Sequence, residues 1–247
     1  STKEDDVVTT LFVANTHTQL LFFTTDGMAY KLKCWRLPLA GRQAKGKAIV
    51  NMLPIAQGVS IAAIMPVDAA EADWADLQII FATSQGDVRR NALSDFTNVK
   101  RNGKIAMKLP EGIELVNARI CDMNDDVMLV TKGGRAIRFS TTDVRIFNSR
   151  ESTGVRGIRL SGDDRVVSMS VIRHFEATPE ERTAYLKMRR AQEGVSDDTE
   201  ADDEDEIVAD AGQLNLERFA EMSAAEDLIL TITIAGSGKL SSRHDYP

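Results

Sequence analysis

The sequence predicts an all-β, propeller-like repeat fold, and three observations lead to this fold class. First, a short apolar run, a Thr-x-x-Gly motif and a basic stretch occur together four times, with the motifs at residues 24–27, 83–86, 131–134 and 233–236. Second, the motif glycines lie 59, 48 and 102 residues apart, so the last interval holds two periods or one period with an insertion. Third, no helical periodicity interrupts the first three units. A period of about 50 residues without helices is typical of a propeller blade.

A second glycine landmark supports the repeat. Gly46, Gly103 and Gly154 follow the first three motif glycines by 19, 17 and 20 residues. Two landmarks that keep their order in three units define a repeat rather than a coincidence. The sequence units drawn from them cover approximately residues 7–58, 59–114, 115–165 and 166–247.

Each unit is predicted to contain a β-hairpin. The apolar runs, residues 20–23, 77–82, 127–130 and 228–232, have the length and the β-branched or aromatic content of strands. The glycine supplies the positive φ of a tight turn. The return strands alternate apolar and charged residues, which predicts one buried and one wet face. A single hairpin cannot bury its apolar side alone, so neighbouring units must pack together.

Composition indicates a protein of a reducing compartment, and we expect it in the cytoplasm. The 247 residues include only Cys34 and Cys121, which rules out a disulfide framework. No apolar run reaches the roughly 20 residues that a membrane helix needs. The chain opens on Ser1 without a start methionine, and we expect it to be a fragment of a longer protein.

The net charge of −7 conceals a strong segregation. Residues 1–190 carry 27 Lys and Arg against 22 Asp and Glu, whereas residues 191–247 carry 3 against 15. Eight of the ten residues in 197–206 are acidic. A run of this kind repels itself, so the stretch 195–213 is predicted to be disordered.

An insertion accounts for the doubled spacing. Residues 178–181, Thr-Pro-Glu-Glu, form a capping box with proline at the first helical position, which predicts a helix to about Gln192. Asn215 is a suitable cap for a second short helix. We therefore place a helical excursion at about 178–226, between two strands of the last unit.

Catalytic and metal-binding patterns are not found. His17, His174 and His244 occur in unrelated contexts, and there is no phosphate loop, nucleophile elbow or dinucleotide motif. The aspartates at 122, 125 and 126 lack the glycine and distal glutamate of a calcium loop and predict a solvated turn. No catalytic or metal residue is therefore assigned, and an enzyme with its own active site is a weak alternative.

Cations recur after each hairpin and form the candidate site. Each one alone is as readily explained as part of a solvated face, but repetition in the same register predicts a positive rim along successive blades. Such a rim follows a phosphate backbone and carries little sequence information, and a curved one binds bent duplex DNA. Charge reversal at Arg89 or Arg138 is then expected to weaken binding to all DNA sequences. The predicted DNA-binding residues are Lys31, Lys33, Arg36, Arg42, Lys45, Lys47, Arg89, Arg90, Lys100, Arg101, Lys104, Arg135, Arg138, Arg156, Lys239 and Arg243.

Several stretches closely resemble the C-terminal domain of the A subunit of DNA gyrase. They are residues 11–17, 49–54, 126–130 and especially 152–160, Ser-Thr-Gly-Val-Arg-Gly-Ile-Arg-Leu. The resemblance extends over nearly the whole chain outside 178–226. It implies a β-pinwheel, a propeller-like disc of six four-stranded blades that exchange strands with their neighbours.

The resemblance also implies a function. Domains of this family wrap double-stranded DNA around a basic edge, so that a holoenzyme of two A and two B subunits can introduce negative supercoils with ATP. ATP and Mg²⁺ would be used elsewhere in that type II topoisomerase, so no cofactor is expected in this domain. Tyr30, Tyr185 and Tyr246 do not lie in a context like the family's cleavage motif. The implied location is the bacterial cytoplasm, at the nucleoid.

Two departures from the family pattern keep alternatives open. The Gln-Arg-Arg-Gly-Gly-Lys-Gly box of the family is absent. The nearest string, residues 42–47, aligns with the equivalent loop of the next blade. The first blade is thus expected to be largely missing, and the sixth to lie beyond Pro247. The alternatives are the homologous C-terminal domain of topoisomerase IV and a protein-interaction propeller. The acidic insertion is the other departure: it is either a passive linker or a phosphate mimic that competes with DNA.

Overall fold

The computed structural model describes residues 10–41, 44–148, 152–193, 214–233 and 235–246. The chain divides into two compact units, residues 1–171 and 172–247. No helix among the described residues is long and apolar enough to cross a membrane. The elements are β1 (Gln19–Thr24), β2 (Met28–Lys33), β3 (Ile61–Val67), β4 (Gln78–Thr83), β5 (Asp87–Ala92), β6 (Lys104–Ile105), β7 (Leu115–Cys121), β8 (Asp125–Thr131), β9 (Ala136–Ser140), β10 (Val155–Arg156), β11 (Val166–Arg173), α1 (Pro179–Glu193), α2 (Leu216–Ala224), β12 (Leu228–Ile232) and β13 (Gly238–Ser242).

Antiparallel sheets built on hairpins make up the first unit. The strand orders are β3-β1-β2-β6, β10-β5-β4-β7 and β11-β8-β9. In each of these sheets a strand from later in the chain, β3, β7 or β11, pairs with the first strand of the hairpin. The fourth hairpin, β12–β13, forms a two-stranded sheet in the second unit. The predicted all-β class and its four hairpins are confirmed.

Each Thr-x-x-Gly motif closes its hairpin with the same hydrogen bonds. In all four hairpins the glycine N–H donates to the threonine carbonyl oxygen at 2.9 to 3.0 Å. The threonine hydroxyl oxygen accepts from the N–H after the glycine at 3.1 to 3.2 Å. The four glycines have φ between 83° and 89°, where other residues are strained. The motif is therefore a turn signal in which both named residues have a hydrogen-bonding or conformational role.

The apolar runs of β1, β4 and β8 are continuous because these strands are buried on both faces, whereas β12 is mostly exposed. Leu21 and Phe23 of β1 belong to a core cluster that includes Phe81 and Phe96, and the Phe23 ring centroid lies 5.4 Å from that of Phe81. Leu20 points to a second cluster on the opposite face of the same sheet. Sheets covered on both faces lack the apolar–polar alternation of half-exposed sheets.

Gly103 and Gly154, two of the three landmark glycines, each precede a short strand that pairs with the sheet of the preceding sequence unit and is here called a lent strand. β6 pairs with β2, and β10 pairs with β5. Gly103 and Gly154 enter these pairings with φ of 86° and 97°. A Cβ on Gly154 would lie 2.1 Å from the carbonyl oxygen of Val88, and one on Gly103 would lie 2.7 Å from the ring of Tyr30. The two sheets that contain β6 and β10 thus cross the boundary between two sequence units, and those units remain an interpretation of the repeat.

The return strand of the second hairpin departs from the expected alternation. Val88 and Arg89 of β5 are fully buried, and Arg90 is 7% exposed. β10 pairs with the start of this strand, and the Phe147 N–H donates to the Arg90 carbonyl oxygen at 2.7 Å. The prediction of one wet face is therefore wrong for β5, because later segments of the chain cover it.

The second unit contains the inserted helices. The Thr178 hydroxyl oxygen accepts from the Glu181 N–H at 3.2 Å, and the Glu181 carboxylate accepts from the Thr178 N–H at 2.9 Å. This capping box starts α1 at Pro179, as the sequence predicts. The Asn215 side chain accepts from the Arg218 N–H at 2.7 Å and starts α2. The stretch 195–213, predicted to be disordered, lies outside the described residues.

Aromatic packing joins these helices to the turn that follows β13. The Tyr185 ring of α1 lies 5.1 Å from Phe219 of α2 and 4.8 Å from His244. His244 Nε2 lies 3.1 Å from the Met222 carbonyl oxygen. The insertion is therefore anchored on the fourth hairpin by buried side chains.

Candidate nucleic-acid interface

A cleft of about 440 Å³ in the first unit brings together four of the sixteen predicted cations. One wall is the end of β2 and the 3₁₀ turn Cys34–Arg36 that follows it. The opposite wall is the loop at residues 99–101, after the 3₁₀ turn Leu93–Phe96. The lining residues are Tyr30, Lys31, Leu32, Arg36, Met52, Leu53, Val99, Lys100 and Arg101.

Three of the four cleft cations face solvent. Arg36, Lys100 and Arg101 are exposed, and within the described part of the chain none of the three makes an ion pair. Lys31 differs, because its ammonium group lies 2.8 Å from a Glu71 carboxylate oxygen and also donates to the carbonyl oxygen of Thr97. The cleft therefore offers an anionic ligand three cations that form no ion pair with any residue the structure describes.

Tyr30, to which no sequence pattern assigned a function, forms part of the cleft wall. Its hydroxyl donates to the Pro54 carbonyl oxygen at 3.1 Å. Burial, reinforced by the negative charge of Asp26, raises the pKa of Tyr30, so the phenol remains a neutral donor at physiological pH. The apolar body of the ring also packs in the core cluster with Leu53, which gives the cleft a rigid base.

Six of the twelve predicted residues outside the cleft are exposed. Arg135 donates from its guanidinium to the Arg159 carbonyl oxygen at 3.0 Å and is still solvent-exposed. Arg156 lies close enough to Asp87 to oppose, by its positive charge, the rise that burial causes in the pKa of that carboxyl group. Arg42 lies outside the described residues. The exposed residues of this group are Lys33, Lys45, Lys47, Arg135, Arg156 and Lys239.

Arg89 is an internal residue, and its assignment to the rim needs correction. Its side chain is 0% exposed. The guanidinium donates to Asn91 Oδ1 at 2.9 Å, to the Ser152 carbonyl oxygen at 2.7 Å and to the Ala106 carbonyl oxygen. Ala106 and Ser152 lie next to the two lent strands, so Arg89 satisfies backbone acceptors where those strands enter. A phosphate cannot reach this guanidinium in the folded chain.

Three other predicted cations are also buried by internal partners. Arg90 Nη1 donates to Gln78 Oε1 at 3.0 Å. Arg138 Nε lies 3.2 Å from an Asp126 carboxylate oxygen, and both side chains are less than 10% exposed. Arg243, which is 1% exposed, donates to the Ala225 carbonyl oxygen at 3.0 Å.

Lys104 is partly covered as well. It lies on the lent strand β6, and its ammonium group donates to the Asp95 carbonyl oxygen. The predicted positive rim is therefore not a continuous exposed surface, because Lys31, Arg90 and Arg138, each four residues after a motif glycine, also bind internal partners.

The fold defines the class of protein: an all-β, propeller-like domain whose sheets exchange strands. The family follows from comparison with known proteins. The family described as "DNA gyrase C-terminal domain, beta-propeller" matches residues 18–68, 78–122 and 125–173, more than half of the chain. The chain belongs to this family.

Curated relatives agree with that assignment. The DNA gyrase A subunit of Granulibacter bethesdensis is 47% identical over 256 residues and that of Rickettsia bellii is 40% identical over 246, each covering 100% of this chain. The DNA gyrase A subunit of Escherichia coli K12 is 37% identical over 245 residues, which cover 90% of this chain. The chain spans only 27% to 28% of the length of these relatives.

Solved structures support the fold. The C-terminal domain of DNA topoisomerase IV has a TM-score of 0.62 at 24% identity, over 70% of this chain and 53% of that chain. A DNA gyrase A C-terminal domain has a TM-score of 0.52 at 24% identity, over 64% of this chain and 49% of that chain. At these identities the two likenesses show the fold alone.

Proposed function

We propose that this chain is the DNA-binding and DNA-wrapping domain of the A subunit of a bacterial DNA gyrase. The observation that carries the proposal is the cleft in which Arg36, Lys100 and Arg101 converge, none of them in an ion pair with another described residue. Family membership supports it, since the relatives that match the whole chain are gyrase A subunits.

Duplex DNA is the ligand that suits this chemistry. Cations on exposed turns and loops neutralise phosphates and release counterions, which gives affinity without base specificity. The exposed cations outside the cleft extend the positive surface to the other hairpins. Binding along a curved surface bends the duplex, and each added phosphate contact offsets part of the bending energy.

The wider setting is proposed on the same basis. The domain would act in a holoenzyme of two A and two B subunits, in the bacterial cytoplasm. Wrapping would present a DNA segment with a fixed hand, while ATP and Mg²⁺ are used elsewhere in that enzyme to drive negative supercoiling.

Salt dependence of DNA affinity tests the proposal. For the unmodified chain we expect log Kd to rise linearly and steeply with log salt concentration. The double variant Lys100→Glu/Arg101→Glu should reduce that slope by about two units, roughly one for each lost phosphate contact. Lys187→Glu/Arg190→Glu, at two exposed positions of α1, reverses the same number of charges and is the matched control, which should leave the slope nearly unchanged.

A topological assay separates wrapping from simple binding. Relaxed circular DNA is mixed with the chain, treated with a nicking-closing enzyme and scored for linking-number change. A shift that depends on Lys100 and Arg101 supports wrapping, whereas binding without a shift favours a topoisomerase IV-like domain. A flat salt dependence would contradict the proposal and favour a protein-interaction propeller.

A further inference from the structure

A 3₁₀ turn follows the return strand of every hairpin at the same distance from the motif glycine. The turns are Cys34–Arg36, Leu93–Phe96, Thr141–Asp143 and Arg243–Asp245, and each begins seven residues after its glycine. Equivalent positions in the four turns can therefore be compared directly, and the repeat acts as an internal control.

The third position is aspartate in three of these four turns. Asp245 accepts from the Ser242 N–H at 2.8 Å, and Asp95 accepts from the Asn91 side chain at 3.1 Å. Asp143 occupies the same place in the third turn. Asp95 and Asp245 accept hydrogen bonds from residues just before their turns, so the repeat favours a negative charge at this position.

The turn after the first hairpin breaks this pattern with two residues of a different kind. Trp35 and Arg36 stand where the other turns have Ser94-Asp95, Thr142-Asp143 and His244-Asp245. An indole and a guanidinium thus replace a smaller residue and an acid. Neither replacement serves as an internal cap, because the Cys34–Arg36 turn has no acidic residue and no side-chain cap.

Trp35 is presented to solvent beside the cationic cleft. It is 55% exposed, whereas the chain's other tryptophan, Trp74, is 0% exposed and donates from Nε1 to the Ala69 carbonyl oxygen at 3.1 Å. The Arg36 guanidinium carbon lies 5.3 Å from the Trp35 ring centroid, within cation–π distance. Arg36 also lines the cleft with Lys100 and Arg101. An exposed aromatic surface therefore borders a cluster of cations that form no ion pair within the described ranges of the chain.

We infer that Trp35 is a wedge residue that inserts its indole at a base step of bound duplex DNA, while Arg36, Lys100 and Arg101 hold the flanking phosphates. The inference rests on the proposed DNA-binding function and deepens it. Apolar side chains that enter a base step unstack it and kink the duplex. Aromatic rings stack on bases of any sequence. The bend imposed by this domain is then partly a local kink at the first hairpin.

Sequence preference follows from the kink. Pyrimidine–purine steps such as TA and CA/TG unstack most easily, so they should be favoured at the wedge although no base edge is read. Duplex DNA fits this surface better than a protein partner does, because the neighbouring side chains supply three exposed positive charges for a polyanion.

Tryptophan fluorescence of the unmodified 247-residue chain gives the first test. Because Trp74 is fully buried, quenching by acrylamide reports mainly on Trp35. Saturating 20-base-pair duplex DNA should shield this signal from the quencher at least twofold. An oligomeric heparin fragment of similar charge should bind the cations and leave Trp35 accessible.

Variants give the second test. Trp35→Ala should weaken binding of a duplex with a central TA step roughly 5- to 100-fold and should abolish its advantage over an AA step. Trp35→Phe should restore most of both effects. The slope of affinity against salt should remain that of the unmodified chain, because no cation is lost. End-to-end fluorescence transfer across the duplex should show a smaller bend with Trp35→Ala.

The outcomes separate this inference from the function on which it rests. If the unmodified chain shows no salt-dependent DNA binding, both fail. If it binds DNA but Trp35 stays open to acrylamide, or if Trp35→Ala leaves affinity, bend angle and step preference unchanged, the wedge is overturned and the proposed function stands. The quenching result needs no variant, so it decides the matter even if Trp35→Ala folds poorly.

Discussion

Asp126 and Arg138 occupy a pair of positions that recurs in the hairpins, eight residues before and four residues after the motif glycine. In the third hairpin they form a buried ion pair at 3.2 Å. In the second hairpin, Gln78 and Arg90 make the equivalent hydrogen bond at 3.0 Å. In these two hairpins the residue before the turn thus neutralises or binds the cation after it, and the repeated charge stabilises the hairpin.

The fourth hairpin carries Leu228 and Leu240 at the same two positions. An apolar pair therefore replaces the polar one within the same repeat. Breaking a buried pair leaves one charge without compensation, whereas replacing both members is often tolerated.

Substitutions at the third hairpin test this interpretation. Arg138→Leu alone should lower the free energy of unfolding by about 3–5 kcal/mol, because it removes the ion pair of the buried Asp126 carboxylate. Asp126→Leu/Arg138→Leu should recover the larger part of that loss. Urea unfolding of both single variants and the double variant measures the coupling. Additive losses would contradict a mutual role for the two residues.

Burial of individual cations could not be predicted from the repeat alone. The acceptors of the Arg89 guanidinium include the backbone carbonyls of Ala106 and Ser152, which lie 17 and 63 positions further along the chain. No local sequence pattern predicts hydrogen-bond partners at such distances along the chain. The Gln78 and Asp126 side chains, eight positions before their glycines, were a readable signal for the burial of Arg90 and Arg138, but it has meaning only once strand pairing is known.

At the scale of elements, the hairpins could be predicted and the exchanged strands could not be located. Short apolar runs followed by Thr-x-x-Gly specify a strand and a turn within about ten residues. β6 and β10 are only two residues long, so they carry no periodicity of their own. The sequence signal for each of them is the landmark glycine before it. That glycine is needed because another segment of the chain approaches closely, and not because the chain turns there.

A matched pair of glycine variants separates these two roles. Gly134 and Gly154 both have positive φ, of 84° and 97°. A Cβ on Gly134 would meet open space, whereas one on Gly154 would collide with the Val88 backbone. Gly134→Ala should cost about 1–2 kcal/mol, from the left-handed conformation alone. Gly154→Ala should cost about 1–3 kcal/mol more, because the lent strand β10 must also move away from β5.

Thermal unfolding and amide hydrogen exchange measure the two effects. In Gly154→Ala, exchange should accelerate at the amides that β10 and β5 share, while β12 and β13 keep their protection. Equal destabilisation by the two variants would show that backbone conformation, and not strand exchange, is the reason for the landmark glycine.

At the scale of the whole molecule, charge is divided between a mildly basic repeat body and an acidic C-terminal part. Residues 1–190 have a formal net charge of +5, and residues 191–247 have −12. Composition alone established this division. It could not say which cations are available to DNA, because four of the predicted ones are buried by contacts that form only in the folded chain.

Variants of the acidic run can test whether this division of charge regulates DNA binding. A segment with eight carboxylates in ten residues offers a dense anionic alternative to phosphate, and its tether gives it a high effective concentration near the cations. Replacing residues 195–213 by a Gly/Ser linker of equal length should therefore raise DNA affinity at low salt by about tenfold, and the gain should shrink at higher salt as screening increases. A second linker that keeps the length but restores the acids in shuffled order is the control and should bind DNA like the unmodified chain. Equal affinities for all three proteins at fixed low salt would identify the segment as a passive linker.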